Sequence, residues 1–186
     1  MARTPSTMRA LGTALPSFTL PNTDGNLFSI QDHLSEHGTL VLFICNHCPF
    51  VIHLREALAA FGNEMMERGL TVVAISSNDA ENYPMDGPKE MRVERLNAGY
   101  LFPYLYDETQ EIARAFDAAC TPDFFLYDAQ KKLVYRGQFD RSRPGNQVPV
   151  TGESLRAACE SLLSTGLVAD VIDQHPSLGC NIKWRD

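Results

Sequence analysis

TLVLFICNHCPFVIHLREALAAF, residues 39–61, carries the reading of the fold. Residues 39–44 are an unbroken apolar run of β-type side chains, which suits a strand buried on both faces. Pro49 then opens a stretch in which Phe50, Leu54, Leu58 and Phe61 recur at helical spacing, and proline suits a first helical turn. The helix is expected to run to about Arg68, with Gly69 closing it. Between strand and helix stand Cys45, Asn46, His47 and Cys48. A helix N-terminus offers unpaired N–H groups and a partial positive charge, and both favour a thiolate. The thiolate is the attacking species in disulfide exchange. Two intervening residues let one thiol reach the other across a single turn, so the pair reads as a redox motif.

Working outward, residues 16–30 (PSFTLPNTDGNLFSI) read as two short strands around the Asp24-Gly25 turn. Residues 31–36 suit one helical turn, and 70–76 (LTVVAIS) a second apolar strand. A polar turn region over 78–87 leads to a helix over 88–98, a short strand within 101–107 and a helix over 108–116 with Asp107 as its N-cap. Residues 124–127 and 133–138 form a hairpin, 141–149 a loop, and 151–163 a last helix capped by Thr151. Alternating strands and helices followed by a hairpin predict an α/β sheet, parallel in part and antiparallel at one side. Residues 1–15 read as an N-terminal arm, 16–164 as the domain and 165–186 as a C-terminal tail.

The chain has 186 residues, long enough for one domain with a real core. A content of 44% hydrophobic and 21% charged residues excludes disorder. The net charge of −7 and the lack of any Lys/Arg run speak against a nucleic-acid partner. No apolar stretch approaches a membrane span, and the N-terminus has no apolar core of a secretory signal, so the expected compartment is the cytoplasm. Five cysteines, an odd number, point to redox or metal chemistry rather than a structural disulfide framework.

The strand–CxxC–helix arrangement resembles the thioredoxin superfamily. Residues 16–30 are similar to the branch holding the AhpC/TSA (redoxin) and TlpA-like proteins. CNHCPFVIH (45–53), CTPDFFLYD (120–128) and GCNIKWR (179–185) together resemble a bacterial CNHCP subgroup of that branch. The resemblance implies a thioredoxin-like fold: a mixed central sheet flanked by helices, with an N-terminal hairpin extension. It also implies a cis bond at Thr121-Pro122, facing the cysteines, where Thr121's backbone can pair with an extended substrate segment.

On this reading the expected function is thiol–disulfide exchange, with Cys45 attacking and Cys48 resolving. His47 resembles the central histidine of the DsbA motif and is expected to stabilise the Cys45 thiolate. Thioredoxins carry a buried carboxylate on the strand before the motif, and residues 39–44 have none. His47, His53, Glu56 or water are left as acceptors of Cys48's proton. Cys120 and Cys180 are additional redox candidates, each weighed against a packed, inert thiol, while Cys159 reads as core. Trp184 is a candidate anchor for the tail. The expected partners are a protein or small-molecule disulfide and a thiol reductant; no organic cofactor is expected.

Two alternatives stay open. Peroxiredoxins carry Pro-x-x-x-Thr-x-x-Cys and a later arginine. Aligned on Cys48, those positions hold Val41 and Cys45; aligned on Cys45, they hold Gly38 and Leu42. The arginine position holds Pro122, with Arg136, Arg141 and Arg143 following. The second alternative is a copper or zinc module built on Cys45, His47 and Cys48, with Cys120 as a fourth ligand.

Overall fold

The computed structural model describes residues 3–185. Its centre is β4 (Thr39–Phe43), flanked by β5 (Thr71–Ser76) and β8 (Asp123–Tyr127) in a five-stranded sheet of order β6-β5-β4-β8-β9. β6 (Tyr104–Tyr106), β5 and β4 run parallel, whereas β8 and β9 (Leu133–Gly137) run antiparallel. Every residue of β4 and β8 is buried. Side chains alternate between faces along a strand. Leu40, Leu42 and Ile44 therefore join one core, and Val41 and Phe43 the other. Because both faces are covered, β4 reads as a continuous apolar run rather than an alternating one. The architecture is the mixed α/β sheet of the thioredoxin-like fold.

The first core is closed by α1 (Pro49–Glu67), α2 (Pro88–Ala98) and α4 (Glu153–Thr165). α1 buries Val51, Leu54, Leu58, Phe61 and Met65, which recur every three or four residues and so share one face. Each such side chain is worth about 1.5–3 kcal/mol when fully buried. Gly69, at φ +99°, turns the chain from α1 into β5. The second core is covered by the hairpin of β2 (Thr19–Pro21) and β3 (Leu27–Ser29) and by α3 (Glu111–Phe116).

Two helices start later than the sequence reading has them, for one reason. Asp107 does not sit at the N-cap of α3; its carboxylate accepts the N–H groups of Ile112 and Ala113 from outside, at 3.4 and 2.9 Å. At α4, Gly152 rather than Thr151 is the N-cap. Asp140, brought in by the preceding loop, accepts the N–H groups of Thr151 and Gly152 at 2.8 and 2.7 Å.

The described residues near each end of the sequence pair into the fold. β1 (Arg3–Pro5), in the stretch read as an arm, pairs antiparallel with β10 (Leu178–Asn181), in the stretch read as a tail. β10 pairs in turn with β7 (Cys120–Thr121), giving a second sheet of order β1-β10-β7. Trp184 lies under the Arg114 guanidinium, 4.4 Å from the ring centroid. Among the described residues, no helix is long and apolar enough to cross a membrane.

Candidate functional site

Where β4 ends, the chain turns through Cys45–Cys48 and enters α1, with Cys48 at the N-cap and Pro49 at the first helical position. The adjoining strand brings Thr121 and Pro122 to the same place, and the peptide bond between them is cis. Cys45 Sγ lies 3.3 Å from Thr121 Oγ1, and Cys48 Sγ donates to the Thr121 carbonyl at 3.1 Å. Residues 76 positions apart thus meet because β4 and β8 are neighbours in the sheet. All five cysteines are thiols in this structure.

Neither sulfur of the pair stands at the surface: Cys45 is 2% exposed and Cys48 0%. The tail contributes to this enclosure. β10 lies against Thr121 in the register Cys180↔Thr121 and closes that side of the pair.

The sequence reading had no buried carboxylate for the site; the structure supplies Asp86. It comes from the short 3-10 turn Pro84–Asp86 and is fully buried. Asp86 Oδ1 accepts the N–H of Asn46 at 2.8 Å and of His47 at 3.3 Å, and Oδ2 accepts from Asn78 Nδ2 at 2.7 Å. It therefore holds the loop between the two cysteines. Asn46 is fixed on its other side by Met85 O and by the Tyr104 hydroxyl.

His47 Nδ1 sits 2.5 Å from Asp86 Oδ2, an ion-pair contact without hydrogen-bond alignment. The imidazole stacks on Tyr83, with 3° between the ring planes. His47 thus faces Asp86 as well as Cys45. His53 is elsewhere: it contacts Ser142 Oγ at 2.7 Å and ties α1 to the loop after β9. Glu56 is exposed on α1.

The two thiols behave as one acid with an easy first proton and a hard second one. Cys48 is drawn down to about 5, first by the hydrogen bond from Cys45 and against its burial, with further help from Cys180, the Val51 N–H and Thr121. Cys45 is pushed well up, first by the same hydrogen bond, then by burial and by the charge of Asp86. The helix N-terminus therefore acts on Cys48, the residue at the cap, rather than on Cys45.

Cys120 is adjacent to Thr121 in sequence. Its thiol points to Pro122 O at 3.7 Å, and burial pushes its pKa far up. Cys159 is fully buried in α4 and is likewise pushed up by burial. Cys180 is the cysteine that joins the pair, hydrogen-bonded to Cys48 and 3% exposed.

The arginines that a peroxide site needs are engaged elsewhere. Arg136 donates to Arg9 O and Gln174 Oε1, and Arg143 to Asp140 O, Ser142 O and Gln138 Oε1. For a metal, ligand atoms of Cys45, His47 and Asp86 lie within 4.8 Å of one another. That set differs from the one read in the sequence, since Asp86 takes the place of Cys48 and Cys120. It is one short of the four ligands of a structural zinc site.

Two thiols at the start of a helix, facing a cis-proline on the neighbouring strand, define a redoxin of the thioredoxin-like fold. The chain belongs to the AhpC/TSA family, which it matches over residues 11–136. It is similar along its whole length to the crystal structure of an uncharacterized conserved protein from Geobacillus kaustophilus: 52% identity, TM-score 0.95, covering 100% of this chain and 97% of that one. A hypothetical protein from Sinorhizobium meliloti 1021 shares 49% identity at TM-score 0.94, covering 98% of each chain. At 19% identity and TM-score 0.64, a putative thiol:disulfide interchange protein DsbE from Chlorobium tepidum shares the fold over 83% of this chain and 99% of that one. None of the curated proteins matches.

Proposed function

We propose that the protein is a thiol–disulfide oxidoreductase that works through Cys45 and Cys48. The observation carrying this reading is the convergence of both sulfurs on Thr121, at 3.3 and 3.1 Å, next to its cis bond to Pro122 and at the start of α1. The substrates are disulfides of proteins or small molecules, and a thiol reductant restores the dithiol.

The pair loses its first proton near pH 5, so at neutral pH one negative charge is held by the two sulfurs. Cys45, its proton handed to Cys48 across the hydrogen bond between them, attacks one sulfur of the substrate disulfide as the thiolate. A Cys45–substrate disulfide forms and the substrate's other sulfur leaves as a thiolate. Cys48 then attacks Cys45 Sγ, the second substrate sulfur leaves, and the protein is left with a Cys45–Cys48 disulfide. Two electrons pass to the substrate; its two sulfurs leave as thiolates, one taking up the proton that the pair gives off and the other a proton from solvent. Asp86, with His47 at 2.5 Å, is the buried acceptor for the second proton. Oxidation of a substrate dithiol runs the same steps in reverse.

Cys48→Ser should accumulate a mixed disulfide between Cys45 and a model substrate, read by intact mass. Cys45→Ser should accumulate none at Cys48. Equal trapping by both variants, or by neither, sinks these roles.

Peroxide turnover is the second reading, favoured by membership of the AhpC/TSA family and by the low pKa of Cys48. No threonine precedes either cysteine at the required spacing, and Arg136 and Arg143 are engaged away from the pair. Slow peroxide consumption is the outcome consistent with such a site. Turnover faster than disulfide exchange would reverse the order of the two readings.

A further inference from the structure

The strand β10 occupies the edge of Thr121 that an extended substrate segment would use. Its register sets Cys180 opposite Thr121. Paired residues of an antiparallel ladder project their side chains from the same face. Thr121 directs its hydroxyl at Cys45 Sγ, so Cys180 presents its thiol to the same group of sulfurs. Cys45, Cys48 and Cys180 lie in one buried cluster, and Cys180 is hydrogen-bonded to Cys48.

The approach is as close as a backbone permits. A Cβ on Gly179 would fall 2.0 Å from the Thr121 carbonyl oxygen. The strand is held on both sides of the cysteine. Upstream, Ser177 N donates to Ser6 Oγ at 2.8 Å and Ser177 Oγ to Gly137 O at 2.6 Å. Downstream, Ile182 N donates to Ala119 O at 3.0 Å and Lys183 N to Asn78 Oδ1 at 2.8 Å. Asn78 also donates to Asp86, so the segment carrying Cys180 is tied to the loop that holds Cys45 and Cys48.

We propose that Cys180 is a third exchanging thiol, which attacks Cys48 in the Cys45–Cys48 disulfide and converts it into a Cys48–Cys180 disulfide. The inference rests on the oxidoreductase reading for the first disulfide. One S–S bond breaks, between Cys45 and Cys48, and one forms, between Cys48 and Cys180. Cys180 gives up its proton and Cys45 takes one, so the protein's oxidation state is unchanged and no further oxidant enters. The exchange has its own gate. Cys180 is held up to about 12 by burial first and then by its hydrogen bond to Cys48 and the Cys48 charge. Both Cys48 contributions vanish once Cys48 is in a disulfide, so Cys180 ionises more easily in the oxidised protein than in the reduced one. The product has a reduced Cys45 and a β10 covalently fastened over the Thr121 edge.

The test is disulfide mapping in glutathione redox buffers, with alkylation of remaining thiols and peptide mass readout. Cys45→Ser should form an intramolecular Cys48–Cys180 disulfide, at least about tenfold more populated than any pairing of Cys48 with Cys120. Cys45→Ser/Cys180→Ser should leave Cys48 only as thiol or glutathione adduct. In the wild-type protein, Cys45–Cys48 and Cys48–Cys180 should appear together over the same range of potentials, which keeps the test valid if a variant misfolds. A wild-type protein that forms Cys45–Cys48 but never Cys48–Cys180 overturns this inference and leaves the oxidoreductase reading standing. A protein that forms Cys48–Cys180 but never Cys45–Cys48 overturns the oxidoreductase reading and the exchange step with it.

Discussion

Asp86→Asn removes a buried carboxylate that faces the cysteine loop while keeping the side chain's shape. Oδ1 can still accept the N–H groups of Asn46 and His47, so the loop keeps its support. What disappears is the negative charge within 4.8 Å of Cys45's sulfur, together with the Asn78 Nδ2 donation to Oδ2. At an effective dielectric constant of about 20, two unit charges at that distance repel by about 3.5 kcal/mol. That repulsion adds to the hydrogen bond with Cys48 and to burial in holding Cys45 up, so the variant should move Cys45 downward. The assay is the pH dependence of Cys45 alkylation by iodoacetamide, read by peptide mass from pH 6 to 11, with thermal melting as the control for folding. A Cys45 midpoint that stays within about 0.3 unit of wild type, or moves upward, refutes the argument that Asp86 charge reaches this sulfur.

Three further outcomes follow from the same geometry. Cys45→Ala takes away the hydrogen bond that does most to hold Cys48 low; the thiolate absorbance at 240 nm, with its midpoint near 5 in the wild type, should move toward the ordinary thiol range, and an unmoved midpoint assigns the low value to other groups. Gly179→Ala drives a Cβ into the Thr121 carbonyl; it should cost about 1–3 kcal/mol in urea unfolding and speed alkylation of Cys45 and Cys48 by loosening β10, and equal stability with equal alkylation would show that β10 does not shield the pair. Cys159 is raised in the folded protein by burial, so its contribution to stability is complete below the unfolded thiol pKa of about 8.5 and is lost as pH rises above it. Cys159→Ala should therefore flatten the fall in unfolding free energy between pH 9 and 11 by about 1.4 kcal/mol per pH unit, measured by urea titration in reductant; parallel curves for variant and wild type would contradict the assignment.

The central sheet was legible because its signals are local. Residues 39–44 form an apolar run that only a strand covered on both faces tolerates, and Phe50, Leu54, Leu58 and Phe61 declare their helix by spacing alone. The hairpin at Asp24-Gly25 and the late antiparallel pair are also matters of nearest neighbours in the chain. Helix starts were less legible, because Asp107 and Asp140 cap α3 and α4 from outside the position that the sequence pattern names.

At the site, the sequence by itself determined the two cysteines, the histidine between them and Thr121-Pro122 as the group to look for. Those are fixed by spacing within the chain and by the order of motifs. Only the tertiary structure decided what surrounds them. Asp86 sits in a polar turn whose sequence, PMDG, looks like any solvated loop; the fold buries it where it accepts from Asn46, His47 and Asn78. Cys180 lies 59 residues after Thr121, in a segment with no periodic pattern, and it reaches the pair through backbone hydrogen bonds between β10 and β7. Backbone pairing carries little side-chain signature, and the charge on a sulfur depends on every group folded against it. For that reason the acidity of the pair, its burial and its third thiol belong to the fold, while the pair itself belongs to the sequence.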